Sequence, residues 1–385
     1  MKVKQYCDPV KIALVRKDFS PKGGGGERYS VDLARALRNS GHEVHVFASS
    51  YEPLKGVAFH SVAVPLKPFG LQSMLFARNA RLALSRNEFD IVNGLSQIYP
   101  QDVYRVGDGI HKHWLDVHPG STFTRLYNTI SPRHRLILSI ERKIFTPGNY
   151  KRIVAISNLC KQHTITYYNV PPNLIDVIYC GVNFDIFNSS VRNEGELLRK
   201  KLGIDRKAIV VLFVGMNFAR KGLASLLRAV SQLRDKEKYR ILIVGRGNIS
   251  RYIKLAGKLG LNGISMFCGF QEGMPSFYGC ADVFVLPSYY EPLGNACLEA
   301  MACGLPVIAT RETGASELIS HGRSGFVMDH PKNTRALANW LEALEDPELR
   351  GSMGAVAQEQ VAPLTVERNA KETVRAYKKA LEDMS

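Results

Sequence analysis

Three features that would place a protein in a membrane, in the secretory route or among disordered chains are missing from this sequence. No apolar run approaches the roughly 18 residues needed to span a bilayer, and the longest, around 208–216, has the length of a strand. The first ten residues lack the apolar stretch and the cleavage site of a signal peptide. Apolar residues make up 45% of the 385 residues and charged residues 22%, as in packed proteins. We therefore expect a folded protein of about two domains.

Cysteines at metal-binding or redox spacing are also missing. The sequence has no C-x-x-C pair, and its seven cysteines are scattered, at positions 7, 160, 180, 268, 280, 297 and 303. This odd, irregular set fits neither a disulfide framework nor a zinc site. We interpret the cysteines as reduced structural thiols and expect a cytoplasmic protein.

Acidic residues are few beside basic ones, 35 against 51, which gives a formal charge of +16. The excess is largest in residues 121–152, which we name the basic segment. Its only acidic residue is Glu141, and its cations are Arg125, Arg133, Arg135, Arg142, Lys143, Lys151 and Arg152. Apolar residues alternate with these cations, so the segment could lie on an anionic membrane or form an internal helix with a solvated basic face. Charge alone attracts nucleic acid, phosphorylated substrates or anionic lipid, and does not distinguish them.

Strand-sized apolar runs alternate with helix-sized amphipathic ones, first up to about residue 180 and again after about residue 208. This alternation predicts two doubly wound α/β domains, each Rossmann-like with a parallel sheet, facing across a cleft. We place the N-terminal domain at 1–187 and the C-terminal domain at 188–365. The polar stretch 188–201 is the candidate linker, and we expect a last helix, 366–385, to return to the first domain.

A run of four glycines, Gly23–Gly26, follows the first predicted strand and precedes a predicted helix. Glycines let a ligand approach the backbone closely, and a helix N-terminus offers unpaired N–H groups to an anion. The spacing is not G-x-G-x-x-G, so a flexible turn remains the alternative. Gly24, Gly25 and Gly26 are therefore candidate phosphate contacts.

Two adjacent cations, Arg220 and Lys221, lie in a predicted strand-to-helix loop that begins at Gly215. Arginine can donate to two phosphate oxygens, lysine supplies a point charge, and a helix start adds its dipole, so the pair suits a diphosphate. Gly245 ends the next predicted strand in a second close-approach turn. The alternative is a solvated helix start.

The stretch from Tyr290 to Thr310 is the most informative. Glu291 follows a predicted strand, and Gly294 and Asn295 open the next helix with unpaired N–H groups. Glu299 falls on the second turn of that helix, where a carboxylate can accept both hydroxyls of a ribose. A capping acid and an exposed helix glutamate are the alternatives.

The segment from Glu291 to Glu299, E-x7-E, is followed by A-x-x-x-G-x-P-V-I-A and resembles the signature of family 4 retaining glycosyltransferases with the GT-B fold. The resemblance extends over nearly the whole chain through P-x-G-G-G-G-E-R, L-A-R-A-L-x-x-x-G-H-E-V, R-K-G and G-A-S-E-L-I-x-x-G-x-x-G, in the family's order. Within the family, V-Y-R-V-G-D-G-I-H-K-H at 103–113 and the basic segment are most similar to lipopolysaccharide core glucosyltransferases.

This resemblance implies roles for individual residues. Asp108, Glu291, Arg220 and Lys221 would be catalytic, and His111 or His113 would contact the acceptor or the sugar. Glu299 would hold the ribose, and backbone at 268–270 would hold the base. The whole donor-binding set that the resemblance implies is Gly24, Gly25, Gly26, Gly215, Arg220, Lys221, Gly245, Cys268, Gly269, Phe270, Glu291, Leu293, Gly294, Asn295 and Glu299.

The resemblance also implies the reaction. A hexose, with UDP-glucose the expected donor, would move to a phosphorylated lipopolysaccharide core acceptor at the inner face of a bacterial membrane, with retention. No D-x-D motif occurs, and two cations stand at the diphosphate, so we expect neither metal nor cofactor. Another donor, such as a UDP-N-acetylhexosamine or GDP-mannose, another glycan or glycolipid acceptor, and a nucleotide-sugar epimerase remain alternatives. Nucleic acid is not an expected partner, because no aromatic-studded basic strand occurs.

Overall fold

The computed structural model describes residues 9–64, 69–118, 120 and 130–382. The chain divides into two compact units. The first holds the chain up to Asp116, Gly120–Gly181 and the chain from Val366; the second holds Val182–Thr365 and the short stretch that begins at Val117. The chain thus passes into the second unit after Gly181, whereas the sequence placed this boundary after residue 187.

Each unit is built on a parallel sheet. In spatial order, the first sheet consists of β5 (Ala58–Ser61), β3 (Glu43–Ala48), β1 (Lys11–Val15), β6 (Ile91–Gly94), β7 (Val103–Val106), β8 (Arg152–Ala155) and β9 (Ile175–Val177). The second consists of β12 (Ser265–Gly269), β11 (Tyr239–Arg246), β10 (Ile209–Met216), β13 (Val283–Leu286), β14 (Val307–Thr310) and β15 (Gly325–Met328). Two short strands, β2 (Asp18–Phe19) and β4 (Ser50–Tyr51), pair separately.

The helices, in chain order, are α1 (Gly25–Asn39), α2 (Phe69–Leu84), α3 (His111–Val117), α4 (Pro132–Ile144), α5 (Asn158–Tyr168), α6 (Arg192–Lys201), α7 (Leu223–Val230), α8 (Ile249–Lys258), α9 (Met274–Cys280), α10 (Asn295–Ala302), α11 (Thr334–Ala343), α12 (Pro347–Val361) and α13 (Val366–Glu382). Helices connect most of the successive parallel strands, as crossover connections usually do. The central strands are buried on both faces, which is why β1 and β13 read as continuous apolar runs.

The predicted doubly wound α/β class is confirmed. The strand order reverses between β1 and β6 in the first unit and between β10 and β13 in the second. Ligands of such sheets bind beyond the carboxyl ends of the strands at this reversal. A ligand of either unit would therefore bind at the loops after Val15 and Gly94 or at those after Met216 and Leu286.

The candidate linker at 188–201 is wrong as a linker, because its larger part is helix α6, packed on α9. A Cβ added to Gly195 would lie 2.0 Å from the Gly279 carbonyl carbon, so the two helices meet through glycine. Arg199 is buried, pairs with Asp282 at 2.6 Å and donates to the Cys280 carbonyl oxygen. Except for Leu197, the outward residues are polar, and their polarity concealed the helix.

The last helix, α13, is part of the first unit. The Asn369 amide donates to the Tyr179 carbonyl oxygen at 2.6 Å, and the Asn93 amide donates to the Tyr377 hydroxyl at 2.5 Å. Residues 383–385 of the predicted helix lie outside the described residues. The six described cysteines are not joined by disulfides, and Cys7 lies outside the described residues.

Candidate functional site

Three of the predicted catalytic residues meet in the second unit, at the carboxyl ends of β10 and β13. Lys221 Nζ lies 2.8 Å from Glu291 Oε2, and Arg220 Nη2 lies 3.2 Å from the same oxygen. Arg220 and Lys221 come from the loop after β10, and Glu291 comes from the loop after β13. We name these three residues the charged cluster.

Hydrogen bonds to main-chain oxygens hold the loops that carry the charged cluster. The Tyr289 N–H donates to the Arg220 carbonyl oxygen at 2.8 Å, and the Arg220 guanidinium donates to the Tyr290 carbonyl oxygen at 2.9 Å. The Glu291 N–H donates to the Glu312 carbonyl oxygen at 2.7 Å. The position of Glu291 is therefore fixed by main-chain atoms on both sides.

The electrostatics of the charged cluster favour an anion. Burial alone would raise the pKa of Glu291, but Arg220 and Lys221 lower it, and the net result is a pKa below the ordinary value. Glu291 is thus a carboxylate at neutral pH, and it neutralises one of the two cations. One positive charge remains available to an anionic ligand.

Gly215 and Gly245 allow the neighbouring turns to pack closely. A Cβ added to Gly215 would lie 2.0 Å from Lys221 Cδ, so the lysine stem runs over this glycine. Gly245 has φ +129°, and a Cβ there would lie 1.9 Å from the Gly215 carbonyl oxygen. The structure gives both glycines a packing role, and their contact with a donor stays a prediction.

Glu299 is buried rather than exposed. Its Oε2 accepts a hydrogen bond from the Tyr278 hydroxyl at 2.6 Å, and Tyr278 is itself fully buried. The alternative of an exposed helix glutamate is therefore wrong. α10 begins at Asn295 after Gly294, whose φ is +85°, and the neighbouring Leu293 is buried, its carbonyl oxygen accepting from the Ala315 N–H at 2.7 Å.

Arg246 and Phe270, at the ends of β11 and β12, are both exposed. The Arg246 guanidinium carbon lies 4.4 Å from the centre of the Phe270 ring. The Cys268 carbonyl oxygen already accepts a hydrogen bond from the Gln271 amide at 2.6 Å. Gly269, with φ +67°, turns the chain between Cys268 and Phe270. Arg246 was missed in the sequence because nothing local connects it with Phe270.

In the first unit, Asp108 is exposed just beyond the carboxyl end of β7, and α3 follows. His111 Nε2 lies 3.0 Å from His134 Nδ1, and burial, aided by His134 and Arg133, lowers the pKa of His111 to about 4. His113 is buried, with its ring stacked on His163 at 3.6 Å between centres. Neither histidine is an exposed surface residue.

The start of α3 is held by a residue that the sequence reading did not single out for the site. Glu141, on α4, accepts the N–H of His111 at 2.6 Å and the N–H of Lys112 at 3.2 Å. The Tyr168 hydroxyl also donates to this carboxylate. Burial raises the pKa of Glu141, and these hydrogen bonds oppose that shift.

The glycine run of the first unit lies against a buried arginine. α1 begins at Gly25, and a Cβ added to Gly26 would lie 2.7 Å from Arg16 Nη2. Arg16 follows β1, donates to the Leu95 carbonyl oxygen at 2.7 Å and lies 3.5 Å from Glu27 Oε1. Arg16 thus brings a buried cation to the strand reversal of this unit.

The described part of the basic segment is an internal helix with an exposed basic face. Ile137, Ile140 and Ile144 of α4 are buried, so these apolar residues do not reach a membrane as the interleaved pattern suggested. Lys151 pairs with Asp102 at 2.6 Å and Arg152 pairs with Asp176 at 2.8 Å. Residues 121–129, with Arg125, lie outside the described residues. The outward cations are Arg133, Arg135, Arg142 and Lys143.

Comparison with known proteins adds two family matches. The model of "Glycosyltransferase Family 4" matches residues 23–186, and the model of "Glycosyl transferases group 1" matches residues 195–360. The two matches correspond to the two sheets.

The chain is also similar to curated proteins along most of its length. An uncharacterized glycosyltransferase of Methanocaldococcus jannaschii is 28% identical, with 97% of this chain and 100% of the relative covered. The lipopolysaccharide glucosyltransferase WaaG of Escherichia coli is 26% identical, with 85% and 88% covered. A D-inositol 3-phosphate glycosyltransferase of Corynebacterium jeikeium is 27% identical, with 96% of each covered.

Two solved structures share the fold. The crystal structure of WaaG, described as a glycosyltransferase involved in lipopolysaccharide biosynthesis, has a TM-score of 0.82 at 24% identity, over 94% of this chain and 98% of that chain. Anabaena HepE in complex with UDP-glucose has a TM-score of 0.72 at 22% identity, over 95% and 99%.

Proposed function

The chain belongs to the family 4 glycosyltransferases with the GT-B fold, and we propose that it transfers glucose from UDP-glucose to a phosphorylated lipopolysaccharide core acceptor that carries heptose. The charged cluster carries this proposal, because it offers net positive charge at a strand end where a donor diphosphate would bind. WaaG, a lipopolysaccharide glucosyltransferase, and HepE, bound to UDP-glucose, support the choice of donor and acceptor.

Arg220 and Lys221 act on the leaving group. When the bond from the anomeric carbon to the diphosphate breaks, the diphosphate gains negative charge, and cations already in place stabilise that charge without reorganisation. Glu291 holds the two cations and accepts hydroxyls of the donor sugar. Glu299, fixed by Tyr278, accepts the ribose hydroxyls. The glycines at 24–26 and 215, Gly245, backbone at 268–270 and Leu293 to Asn295 complete the donor contacts.

The acceptor hydroxyl attacks from the side that the diphosphate leaves, so the configuration is retained. The bond from the acceptor oxygen to the anomeric carbon forms as the bond to the diphosphate oxygen breaks, and the hydroxyl proton passes to the leaving diphosphate. Asp108 positions the acceptor hydroxyl, and His111 or His113 contacts the acceptor or the sugar. The reaction needs no metal in this scheme.

We propose that an exposed face of α2 and α4 docks on an anionic membrane. Leu71, Met74 and Leu82 form one exposed stripe of α2, with fractional exposures of 41%, 39% and 52%, and α2 packs beside α4. Arg78 and Arg81 of α2 are exposed, as are the outward cations of α4. Cations attract anionic headgroups and apolar side chains enter the interface, as in peripheral enzymes. No helix among the described residues is long and apolar enough to cross a bilayer.

Vesicle flotation tests the docking face. We expect the protein to float with vesicles rich in phosphatidylglycerol and not with phosphatidylcholine alone. Replacing Leu71 and Met74 by serine reduces flotation, whereas the control Leu197→Ser, at an exposed leucine of α6, does not. Equal failure to bind both kinds of vesicle removes this part of the proposal.

A second candidate is transfer to a phosphorylated polyol. It is favoured by the D-inositol 3-phosphate glycosyltransferases among the relatives, which resemble the chain over nearly its full length. Both candidates place a phosphate on the acceptor. They differ in whether the acceptor is a lipid-linked glycan or a small soluble molecule.

The test is a thermal-shift panel in EDTA with UDP-glucose, UDP-N-acetylglucosamine, GDP-mannose and an ADP-heptose, followed by transfer assays with both acceptor classes. A ligand at 100 times its Kd stabilises the folded protein by about 2.7 kcal/mol. A shift with UDP-glucose alone supports the proposed donor, and transfer to one acceptor class decides between the candidates. A strict requirement for a divalent metal contradicts the assigned role of Arg220 and Lys221.

A further inference from the structure

Glu141 is a buried carboxylate in the most basic part of the chain. Only 3% of the residue is exposed. Burying a charged group is costly unless hydrogen bonds satisfy it. The contacts of this carboxylate therefore indicate its role. They join three helices of the first unit, α3, α4 and α5.

The Glu141 carboxylate is the acceptor in its three hydrogen bonds with described residues. Oε1 accepts the His111 N–H at 2.6 Å, and Oε2 accepts the Lys112 N–H at 3.2 Å and the Tyr168 hydroxyl. Both oxygens must therefore accept, which a carboxylate does and a carboxamide cannot. A glutamine here would turn an N–H group toward another donor.

The two N–H groups belong to the first turn of α3, which follows the loop with Asp108 directly. That loop, residues 107–110, is anchored at one end by β7. At its other end Ile110 is fully buried and His111 begins the helix that Glu141 holds. A shift of the α3 start would therefore move Asp108 and the His111 ring together.

We propose that Glu141 is a positioning residue for the transfer reaction: it fixes the first turn of α3, and through it Asp108 and His111, without touching either substrate. This inference rests on the proposed function, in which Asp108 positions the acceptor. Misplacement of reacting groups by about 1 Å can cost on the order of 10²-fold in rate. The effect of losing Glu141 should accordingly fall on kcat and not on the affinity for the donor.

The experiment compares Glu141→Gln with the milder Tyr168→Phe, which removes one donor and leaves the carboxylate in place. The matched control is Asp102→Asn. Asp102 also accepts a backbone N–H in this unit, from Val92 at 2.8 Å, but it precedes β7 and lies at the opposite end of that strand from Asp108. Each variant is measured for kcat and KM with UDP-glucose and heptose-bearing core lipid, and for amide hydrogen exchange.

We expect Glu141→Gln to lower kcat on the order of 10²-fold with an unchanged KM for UDP-glucose, and to speed amide exchange in the peptide covering 107–117. Tyr168→Phe should give a smaller change in the same direction, and Asp102→Asn should keep the wild-type kcat. A folded Glu141→Gln protein with wild-type kcat overturns the proposal. So does a loss of kcat without faster exchange at 107–117, because Glu141 would then act on the substrate itself.

Failure of the proposed function is a separate result. If the wild-type protein transfers no glucose, the assignment of donor or acceptor is wrong. Hydrogen exchange in 107–117 still decides whether Glu141 holds the α3 start, since that measurement needs no substrate. Unchanged exchange there overturns the positioning role whatever the reaction is.

Discussion

The candidate sites of the two units differ in what holds them. In the second unit, main-chain hydrogen bonds fix the loops of the charged cluster, such as the one from the Glu291 N–H to the Glu312 carbonyl oxygen. In the first unit, side chains hold the corresponding region: Glu141 holds the α3 start, and His134 contacts His111. Main-chain pairs thus predominate in the second unit, where the Arg220 side chain adds a bond to the Tyr290 carbonyl oxygen, whereas side chains hold the first site.

This difference has a consequence for how each site can change. A backbone-held loop keeps its shape when side chains are exchanged, provided the glycines that permit the close packing remain. A side-chain-held loop depends on each partner, and exchanging one partner reshapes it. A transferase that uses a common type of donor and diverse acceptors gains from this division, with the constant geometry in the second unit.

Removing one cation of the charged cluster should give the largest effect. Lys221→Met keeps the stem that packs over Gly215 and removes the charge, so kcat should fall on the order of 10²–10³-fold while the fold persists. Lys238→Met is the control, since Lys238 is half exposed and pairs with Glu345 at 3.1 Å away from the cluster. Steady-state kinetics measure both. An unchanged kcat in Lys221→Met would show that the charge of this cluster does not contribute to the reaction.

Gly245→Ala tests whether backbone packing holds the second site. The added Cβ would meet the Gly215 carbonyl oxygen at 1.9 Å, at φ +129°. We expect a loss of unfolding free energy of about 1–3 kcal/mol, together with weaker donor binding. Gly263→Ala is the control, because a Cβ there meets no atom within 4 Å. Urea unfolding compares the stabilities of Gly245→Ala and Gly263→Ala. Equal stability would mean that the turn at Gly245 accommodates a Cβ without strain.

Tyr278→Phe tests a side-chain contact on which the ribose contact of the second site is proposed to depend. Loss of a hydrogen bond to a charged group costs about 1.5–3 kcal/mol, so the Kd for UDP-glucose should rise about tenfold or more. Tyr239→Phe is matched to it: Tyr239 also donates to a glutamate, Glu345, at 2.9 Å, but at the start of β11. Calorimetric titration should show weaker binding only in Tyr278→Phe. The same Kd in both variants would leave Glu299 without a ribose role.

The smallest expected effect concerns the first unit, where the side chain of His111 should make the stability of the protein depend on pH. The pKa of His111 is lowered from 6.5 to about 4 in the folded protein. Between these values the unfolded chain binds a proton that the folded chain does not, so stability falls as pH falls from about 6.5 to 4. His111→Asn should reduce this loss between pH 7 and pH 5 in urea unfolding. A variant with the wild-type pH profile would show that His111 does not titrate as described.

The sequence predicted the strands best, because a parallel strand buried on both faces is a continuous apolar run. It missed α12, which packs through small residues: a Cβ on Gly354 would lie 2.2 Å from the Gly304 carbonyl oxygen. Such a helix has no apolar stripe to detect. The sequence analysis took α6 for a linker for a related reason, since the buried residues of this helix are Gly195 and Arg199 rather than large apolar ones.

Some contacts of the candidate site could likewise be predicted from the sequence, and others could not. The meeting of Lys221 with Glu291 could be expected, because both follow strands of one parallel sheet and such ends lie at one edge. The contact of Tyr278 with Glu299 spans 21 residues and that of Glu141 with His111 spans 30. No local spacing encodes these pairs, since they depend on how helices pack on the sheet. The roles of the site residues toward donor and acceptor stay predictions.

The place of α13 in the first unit affects the order of events during synthesis. The first unit's sheet is complete once β9 has been made. The hydrogen bonds of Asn93 with Tyr377 and of the Tyr179 carbonyl oxygen with Asn369 can form only after α13 has been made. The roughly 180 residues of Val182–Thr365 are made in between, which takes about 10–40 s at ribosomal rates of 5–20 residues per second. The second unit is nearly contiguous and can close as soon as it is released. The unit that begins first therefore matures last, and a ribosome that stalls before α13 has been made leaves that first unit unfinished.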